Sequence, residues 1–347
     1  MTEVASIAVK GYAAFDKEQE LKPFEYTMDN IGSLQVVVKV THCGVCYSDI
    51  DCIDDAFGWS KYPFIPGHEV VGEVVAMGAN VGHLQLGQRV GIGPNRSSCM
   101  NCVECNNGFE QLCEKAIATL QPGEHGGFAD HICISSEWVI PVPDNLDSIS
   151  AAPLMCAGVT AFTPLRLYTN SLMNVGVVGV GGLGHLSVQF AAAMGNEVTA
   201  FVANPTADDI TAYKSLGATH VVNFANREDM GPAASTQDFI FSTIYGGDVG
   251  LKPFIRVLKP RGRLCVVGAA MEPMDFPAAR LVFGQKSIMG STSGGREHTR
   301  EMLEFAGKHG IKPITETMKM SEVNAAIDKV KKQQVHFRMV LINDLST

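Results

Sequence analysis

Four cysteines lie close together in one stretch of this 347-residue chain, and thiols at such spacing can hold a metal ion. The stretch CMNCVECNNGFEQLC contains Cys99, Cys102, Cys105 and Cys113 in the pattern C-x2-C-x2-C-x7-C. Gaps of two residues let neighbouring thiolates reach a single ion, and four thiolates around one ion are typical of structural zinc. A ferredoxin cluster run has three residues before its fourth cysteine and a proline after it, and this stretch has neither. The pattern therefore favours a structural zinc site over an iron–sulfur cluster.

A second set of potential metal ligands is spread over three separate stretches, CGVCYSDID, PGHEVVGEVV and LMCAGVT. These stretches contain Cys43, Cys46, His68, Glu69 and Cys156. Taken one at a time, a lone histidine or cysteine is most often a core or surface residue. Cys43 and Cys46 by themselves could also form a thioredoxin-like redox pair. The residues alone leave these alternatives open.

A glycine-rich stretch, VVGVGGLGHL, places Gly179, Gly181 and Gly184 in the spacing G-x-G-x-x-G. A strand-like run precedes it and a helix-like run follows it, as the dinucleotide-binding fingerprint requires. The first glycine permits a tight turn, the second lets the backbone approach a pyrophosphate, and the third lets the helix pack close to the strand. The helix N-terminus then offers amide donors to the phosphates. We therefore expect a dinucleotide site here.

The choice of dinucleotide depends on the end of the next predicted strand, in the stretch TAFVANPT. An NAD site usually has an acidic residue there, which binds the ribose 2′-hydroxyl group. This chain has Ala203 and Asn204 instead, which favours NADP(H) because a carboxylate would repel its 2′-phosphate. However, no arginine or lysine stands at these positions, and Asp208 and Asp209 follow closely. The sequence thus makes NADP(H) a better candidate than NAD(H) without excluding the latter.

The composition indicates a globular protein and limits its partners. Hydrophobic residues make up 46% of the chain and charged residues 18%, and the formal net charge is −9. Without a basic run, no nucleic-acid partner is expected. The N-terminal stretch has no signal-peptide core, and no apolar run reaches the roughly 18 residues that span a bilayer, so we expect no membrane partner and a cytoplasmic location. Disulfides are rare in that compartment, which makes metal binding a better use for clustered cysteines.

The elements that would position these residues differ along the chain, which indicates an α/β protein of two domains. Residues 1–152 contain β-branched runs such as LQVVVKVTHCG and HEVVGEVVAMG and no long helical period, which predicts a mostly-β domain. Residues 153–292 alternate between strand-like and helix-like runs, which predicts a parallel sheet built from βαβ units. Residues 293–347 begin with a helix and end in a strand, FRMVLIND, and are assigned back to the first domain.

Together these motifs resemble one family over essentially the whole chain. The stretches SKYPFIPGHEVVGEVV, LMCAGVT, GVGGLGHL and EMLEFAGKHGIKP, with the cysteine cluster between them, are similar to zinc-dependent medium-chain alcohol dehydrogenases of the cinnamyl-alcohol-dehydrogenase-like branch. The resemblance implies a GroES-like mostly-β catalytic domain, split in sequence, plus a Rossmann domain with a doubly wound parallel sheet. It also implies two zinc ions per chain, one catalytic and one structural.

The resemblance also implies roles for individual residues of the catalytic site. Cys46, His68 and Cys156 would bind the catalytic zinc, with Glu69 as an alternate or indirect ligand. Asp49 would orient His68, and Ser48 would contact the substrate oxygen. The candidate cofactor-binding residues are Thr160, Gly179, Gly181, Gly182, Leu183, Gly184, Ala203, Asn204, Val267, Gly268 and Ser291.

The net charge distinguishes the two proposed zinc sites. Four thiolates on a dication give −2, which damps Lewis acidity, whereas two thiolates and a neutral imidazole give 0. The second site also keeps an open position for substrate, and an alcohol bound there would lose its proton more easily. The sequence therefore assigns catalysis to the dispersed set and structure to the cysteine cluster.

One position departs from the family pattern and concerns the path of that proton. Many members have a histidine five residues after the first zinc cysteine, where this chain has Asp51 in CYSDIDC. We hypothesise that Asp51 passes the proton from Ser48 and the cofactor ribose to solvent. The alternative is an exposed loop carboxylate with no role.

Other residues are assigned more simply. Phe57, Trp59 and Leu120 fall in segments that border the substrate cleft of similar proteins, although each could be core. Small buried thiols are expected at Cys43, Cys52, Cys133 and Cys265. His185, inside the first predicted Rossmann helix, is expected to be structural.

These features predict an NADP(H)-dependent alcohol dehydrogenase that acts as an aldehyde reductase on aryl or aliphatic primary alcohols and aldehydes. The alternatives are an NAD-dependent polyol or secondary-alcohol dehydrogenase of the same fold and a non-catalytic dinucleotide- or zinc-binding protein. The family likeness further implies a homodimer, paired through the sheet edges of the Rossmann domains at residues 266–277 and 286–292.

Overall fold

The computed structural model describes residues 6–121, 123–244, 250–268 and 275–345. The chain forms two compact units, which we call the first unit (residues 1–159 and 294–347) and the second unit (residues 160–293). The division expected from the sequence lay after residues 152 and 292. Residue 152 falls within a helix, and the units part at 159 instead.

The secondary structure is numbered in chain order. The strands are β1 (Ile7–Ala13), β2 (Lys22–Met28), β3 (Gln35–Val45), β4 (Glu69–Met77), β5 (Arg89–Ile92), β6 (Asn95–Ser97), β7 (Ile117–Ala118), β8 (His131–Ser135), β9 (Ile140–Pro141), β10 (Asn174–Val178), β11 (Glu197–Val202), β12 (His220–Asn223), β13 (Gln237–Ser242), β14 (Leu258–Val266), β15 (Ser287–Gly290), β16 (Thr315–Lys319) and β17 (Arg338–Ile342). The helices are α1 (Tyr47–Ile53), α2 (Val103–Asn106), α3 (Ser148–Pro153), α4 (Val159–Tyr168), α5 (Gly184–Ala193), α6 (Ala207–Ser215), α7 (Arg227–Met230), α8 (Lys252–Val257), α9 (Ala278–Gly284), α10 (Arg296–His309) and α11 (Val323–Lys331). Short 3₁₀ turns span Glu110–Leu112, Ser136–Trp138 and Met320–Glu322, and a π-helical turn spans Leu154–Gly158.

The first unit is built around strand β3, whose sequence QVVVKVTHCGV is rich in the β-branched residues that suit a pleated, buried surface. The main sheet has the order β16-β17-β3-β4-β5-β9, and β8 also pairs with β3. Strand β17 therefore returns from the end of the chain to lie antiparallel beside β3. This arrangement confirms the mostly-β, sequence-split domain.

The core of the first unit forms where the strands bury their apolar side chains against one another. Val38, Ile65, Phe128 and Leu341 are all essentially inaccessible to solvent and belong to one continuous hydrophobic cluster. Burial of a side chain of this size contributes about 1.5–3 kcal/mol. The ends of β3, β4 and β17 are thereby held rigidly, and the site described below lies at those ends.

The second unit contains a six-stranded parallel sheet with the order β12-β11-β10-β13-β14-β15. The chain starts at β10 in the middle, runs outward to β12, and then returns to build β13 to β15 on the other side. This is the doubly wound Rossmann order, which confirms the predicted fold class. Since all six strands are parallel, their carboxyl ends share one edge of the sheet, where such folds bind ligands.

One helical stretch, Ser148–Tyr168, meets the length and composition of a membrane span, with a mean hydropathy of 1.3 over its most apolar window. However, 78% of that window is buried inside the protein, which is also characteristic of a core helix.

Candidate active site

Cys46 is positioned by the junction of strand β3 and helix α1. The strand ends at Val45, and Cys46 has the extended backbone of a helix N-cap, with φ −106° and ψ 154°. Its backbone N–H donates a hydrogen bond to Asp49 Oδ2 at 2.9 Å. A carboxylate in the first turn satisfies an otherwise free amide and complements the helix dipole. The same hydrogen bond fixes the place of the Cys46 thiol relative to Asp49.

The other oxygen of Asp49 contacts His68. Asp49 Oδ1 lies 2.9 Å from His68 Nδ1 and also accepts a hydrogen bond from Gly67 N at 2.9 Å. Asp49 is 0% exposed and His68 is 1% exposed. Burial disfavours the charged imidazole, but Asp49 and Cys46 together outweigh this effect and raise the pKa of His68 well above its usual value. With Nδ1 directed at Asp49, Nε2 is the ring nitrogen left to bind a metal.

Glu69 is brought beside these residues by the pairing of β3 with β4, which places it opposite Gly44. A Cβ atom at Gly44 would lie 2.0 Å from Glu69 Oε2, so the carboxylate fits only because that position is glycine. Burial raises the pKa of Glu69 to about 7, although the neighbouring Arg338 opposes this shift. Glu69 Oε2 is buried without a hydrogen-bond partner, whereas Oε1 pairs with Arg338.

Arg338 is the site residue that sequence reasoning missed. It opens strand β17, is 7% exposed, and its Nη2 donates to Glu69 Oε1. A signal was present, because an arginine at the start of an apolar strand must find a carboxylate when buried. The partner lies 269 residues away in sequence, so the strand pairing was needed to identify it.

Four donor side chains converge at this place. The potential ligand atoms of Cys46, His68, Glu69 and Cys156 all lie within 4.8 Å of one another. Cys156 comes from the π-helical turn Leu154–Gly158. Two sulfurs, an imidazole nitrogen and a carboxylate oxygen without a partner are a donor set that zinc accepts. The residues present therefore fit a zinc ion, which would hold both sulfurs as thiolates.

The pKa values of the two thiols are shifted in opposite directions. A hydrogen bond from Cys156 lowers the pKa of Cys46 well below its usual value, and the same contact raises the pKa of Cys156. One thiol at this place is thus prepared to ionise, which is the state that a metal requires.

Ser48 and Asp51 both lie on helix α1. Ser48 is exposed, and its Oγ lies 3.8 Å from Cys46 Sγ. Asp51 is 8% exposed and lies in the helix rather than in an exposed loop, and its part in proton transfer stays a prediction.

The cysteine cluster forms a second convergent group. The sulfurs of Cys99, Cys102, Cys105 and Cys113 all lie within 4.8 Å of one another. Helix α2 begins directly after Cys102 and contains Cys105, and the 3₁₀ turn Glu110–Leu112 leads into Cys113. The backbone N–H of Asn101 lowers the pKa of Cys99 to about 6. All ten cysteines of the chain are free of disulfides. The four clustered cysteines therefore also fit a zinc ion.

The glycine turn of the second unit joins β10 to α5. Gly179 has φ +80°, a conformation that favours glycine. A Cβ at Gly184 would lie 1.9 Å from the carbonyl oxygen of Gly179, whereas one at Gly181 would meet nothing within 4 Å. The first and third glycines are thus required by the fold itself, and the second leaves open space along the turn.

The other predicted cofactor residues lie mostly along the same sheet edge. Ala203 and Asn204 follow β11, Val267 and Gly268 follow β14, and Ser291 follows β15. Gly182 and Leu183 belong to the glycine turn, and Thr160 lies instead in helix α4. The carboxyl edge therefore gathers ten of the eleven candidates in one unit.

The end of β11 carries no free acid at the expected ribose position. Ala203 and Asn204 are exposed, and Asn204 N donates to Asn223 Oδ1 at 2.9 Å. Asp209 is used in the N-cap of α6, where its Oδ2 accepts from Thr206 N and Thr206 Oγ1 at 2.9 and 2.7 Å.

The remaining expectations concern side chains away from these groups. The rings of Phe57 and Trp59 meet edge to face at 5.8 Å, with Trp59 53% exposed, and Leu120 packs on the first unit's core. Cys43, Cys52 and Cys265 are buried, whereas Cys133 is only half-buried. His185 is fully buried in α5, 3.0 Å from the carbonyl oxygen of Gly181.

Comparison with known proteins agrees with this geometry. Residues 32–144 match the family described as "Alcohol dehydrogenase GroES-like domain", and residues 182–308 match "Zinc-binding dehydrogenase". The chain is 39% identical over 334 residues to an aldehyde reductase of Synechocystis, covering 96% of this chain and 98% of the relative.

Two solved structures are also similar. A cinnamyl alcohol dehydrogenase from Sorghum bicolor has a TM-score of 0.91 at 35% identity and covers 97% of this chain and 98% of its own. A cinnamyl alcohol dehydrogenase from Helicobacter pylori, solved in complex with NADP(H), has a TM-score of 0.86 at 30% identity with the same coverage. Both similarities extend across the two units. The chain therefore belongs to the zinc-dependent medium-chain alcohol dehydrogenases, in the cinnamyl-alcohol-dehydrogenase-like branch, and is an oxidoreductase that interconverts alcohols and carbonyl compounds.

Proposed function

We propose that this enzyme is an NADP(H)-dependent aldehyde reductase, which also oxidises aryl or aliphatic primary alcohols and holds two zinc ions per chain. The observation that carries the proposal is the convergence of Cys46, Cys156 and the Asp49-oriented imidazole of His68 within 4.8 Å. Glu69 is available there as an alternate ligand. The four clustered cysteines would hold the second, structural ion.

The chemistry divides between the bound groups and the residues of the chain. When bound, zinc supplies Lewis acidity at the substrate oxygen and the nicotinamide supplies or accepts the hydride. Asp49 keeps the imidazole of His68 in one tautomer, with the proton on Nδ1. Nε2 therefore keeps a lone pair for the metal throughout the catalytic cycle. Ser48, two residues after Cys46 on helix α1, holds the exchangeable proton at its Oγ. Asp51, one turn further along the same helix, would accept that proton on its way to solvent.

Glu69 and Arg338 set the charge at the rear of the donor set. Their ion pair is almost completely buried, at 0% and 8% side-chain exposure. A buried carboxylate without its arginine would be strongly destabilising, and Arg338 opposes the burial that raises the pKa of Glu69, so it favours the anionic form beside the metal ligands. The unpartnered Oε2 of Glu69 can then approach an ion when a ligand position falls open.

The preference for NADP(H) is supported by the absence of an acid at the end of β11. The Helicobacter pylori relative was solved with NADP(H), which also favours this cofactor. Of the two aspartates that follow this strand end, Asp209 is engaged by Thr206. A free 2′-hydroxyl would therefore lack its usual carboxylate partner here.

A combined measurement tests the proposed function. Purified protein should contain close to two zinc ions per chain and should oxidise NADPH faster than NADH with an aryl aldehyde. Cys46→Ala and His68→Ala should lose about 10³-fold or more in kcat, since the interaction that polarises the substrate is worth several kcal/mol. Faster turnover of a ketose with NADH would support the polyol dehydrogenase alternative. Absence of hydride transfer with any carbonyl would overturn the enzyme assignment.

A homodimer is the proposed assembly, formed through the free edge of the second unit's sheet. Strand β15 is the last in the strand order. Helix α9, just before it, exposes Val282 at 70% and Phe283 at 89%. Of the segments expected at this interface, 286–292 contains β15, and residues 269–274 of the segment 266–277 lie outside the described residues. The cytoplasmic location is part of the same proposal and is supported by the ten free cysteines.

A further inference from the structure

The cysteine cluster is tied to the last segment of the first unit by one arginine. Arg296 opens helix α10, and its Nε donates to Glu110 Oε1 at 2.9 Å. Its backbone N–H donates to Glu110 Oε2 at 3.3 Å. Glu110 is 3% exposed, so this carboxylate depends on Arg296 for its charge balance.

Further contacts hold the guanidinium group of Arg296 in place. Its Nη1 donates to the carboxylate of Glu137, and to the carbonyl oxygen of the same residue at 3.4 Å. Its Cζ lies 5.7 Å from the centre of the Trp138 ring, which is cation–π range. The side chain of Arg296 is only 18% exposed. Arg296 is therefore a fixed arm rather than a flexible surface side chain.

The backbones of the two segments also pack closely. A Cβ at Gly295 would lie 2.0 Å from the carbonyl oxygen of Gly108 and 2.1 Å from Glu110 Oε2. The rings of Phe109 and His298 lie 5.3 Å apart. Residues 108–110 thus fit against the start of α10, and only a glycine at 295 permits this approach.

The contacts of Arg296 matter for the cysteine cluster because Glu110 lies between two of its cysteines. Glu110 lies in the seven-residue gap between Cys105 and Cys113, and its 3₁₀ turn leads directly into Cys113. Cys99, Cys102 and Cys105 are separated by only two residues each, so the local backbone can bring their three sulfurs together. Cys113 is placed by a longer loop, which loses conformational entropy when it closes. A contact that holds Glu110 reduces that loss.

We propose that Arg296 is a positioning residue for the four-cysteine site, which holds Cys113 in place through Glu110 and so slows loss of the bound ion. The inference rests on the proposed function, in which these cysteines bind zinc. Residues that orient metal ligands without touching the metal typically change metal affinity by about 10–100-fold when removed. Arg296 would act in this way on a site far from it in sequence.

The test measures how fast each zinc ion leaves the protein. Zinc content is first determined by mass spectrometry, and release into the chelator 4-(2-pyridylazo)resorcinol is then followed by absorbance. His68→Ala, which lacks a ligand of the other site, identifies the phase that belongs to the four cysteines. Arg296→Met should accelerate that phase about 10-fold or more and leave the other phase unchanged. Arg296→Lys keeps the positive charge but lacks the forked donors of a guanidinium group. Its rate of zinc release should lie between those of wild type and Arg296→Met.

Matched variants separate positioning from general destabilisation. Arg300→Met, on the same helix, removes a guanidinium group whose ion pair within the described part of the chain is a local one with Glu297 at 3.2 Å, and this variant should behave as wild type. Arg296→Met combined with Glu110→Gln leaves no unpaired buried charge and should still release zinc faster. Unchanged release in both Arg296→Met proteins would overturn the inference. So would equal acceleration of both phases together with a lower melting temperature.

The wild-type zinc content distinguishes this inference from the proposed function. Wild-type protein without zinc at the four cysteines would overturn the structural-metal assignment and the inference with it. NADPH oxidation by the same preparation reports separately on the catalytic site.

Discussion

The imidazole of His68 is held by one carboxylate oxygen, and that hydrogen bond decides which ring nitrogen can serve as a ligand. Asp49 also caps helix α1 through the backbone of Cys46, so the same carboxyl group positions two of the proposed zinc ligands. Asp51 is the residue of chemical interest at this scale, because the family resemblance led us to expect a histidine there. Asp51 is buried in α1, and its proposed role in proton transfer can be tested by substitution.

Asp51→Asn keeps the size of the side chain but removes its capacity to accept a proton. If Asp51 passes the substrate proton outward, alcohol oxidation should slow by about 10²-fold near neutral pH. The loss should shrink as pH rises, because hydroxide can then take the proton directly. Initial rates with NADP and an aryl alcohol between pH 6 and about 10 measure this profile.

The control for that experiment is Asp54→Asn. Asp54 is the C-cap of the same helix, but its carboxylate pairs with Lys331. Its pH–rate profile should match wild type. If Asp51→Asn also matched wild type, Asp51 would have no part in proton transfer.

At the scale of the element, the glycines in the turn between β10 and α5 serve two different purposes, one in the fold and one in cofactor binding. Gly184 is needed so that the helix can start against the backbone of Gly179, whereas Gly181 stands in open space. The fold requires one of them and the proposed cofactor requires the other.

Alanine substitution at these two glycines should therefore give different results. Gly181→Ala should leave the melting temperature of the nucleotide-free protein within a few degrees of wild type, while NADPH binding weakens because a methyl group obstructs the pyrophosphate. Gly184→Ala should lower both the melting temperature and the affinity for NADPH, since its Cβ would lie 1.9 Å from a carbonyl oxygen. Calorimetry and a fluorescence titration with NADPH measure the two quantities. Equal effects of both substitutions on stability would contradict this division.

The elements also show what the sequence could predict. The cysteine cluster and the glycine turn were identified because their residues are close in sequence, where spacing determines geometry. The parallel sheet followed from the regular alternation of strands and helices, and its Rossmann order was implied by the family resemblance. The pair of Glu69 with Arg338 was not foreseen, because it depends on β4 and β17 both lying beside β3. Burial of Asp51 was missed because a helix as short as α1 gives little periodic signal.

At the scale of the whole molecule, the free edge of β15 and the exposed side chains of α9 are expected to be covered by a second copy. Phe283→Asp should convert the dimer to a monomer, because it places a charge where an 89% exposed phenyl ring would be buried on association. Size-exclusion chromatography with light scattering measures the mass. Leu172→Asp is the control, since Leu172 is also 89% exposed but precedes β10, in the middle of the sheet order. A wild-type monomer would refute the proposed assembly.

The return of β17 to the side of β3 has a consequence for biosynthesis. Cys46 and His68 leave the ribosome well before Arg338, which pairs with the carboxylate beside them and lies 269 residues after it in the chain. At about 5–20 residues per second, that interval lasts tens of seconds. The second unit is contiguous and can fold on the nascent chain. The first unit can be completed only after β17 has been synthesised, and until then the thiols of its site lack the folded surroundings that bury them.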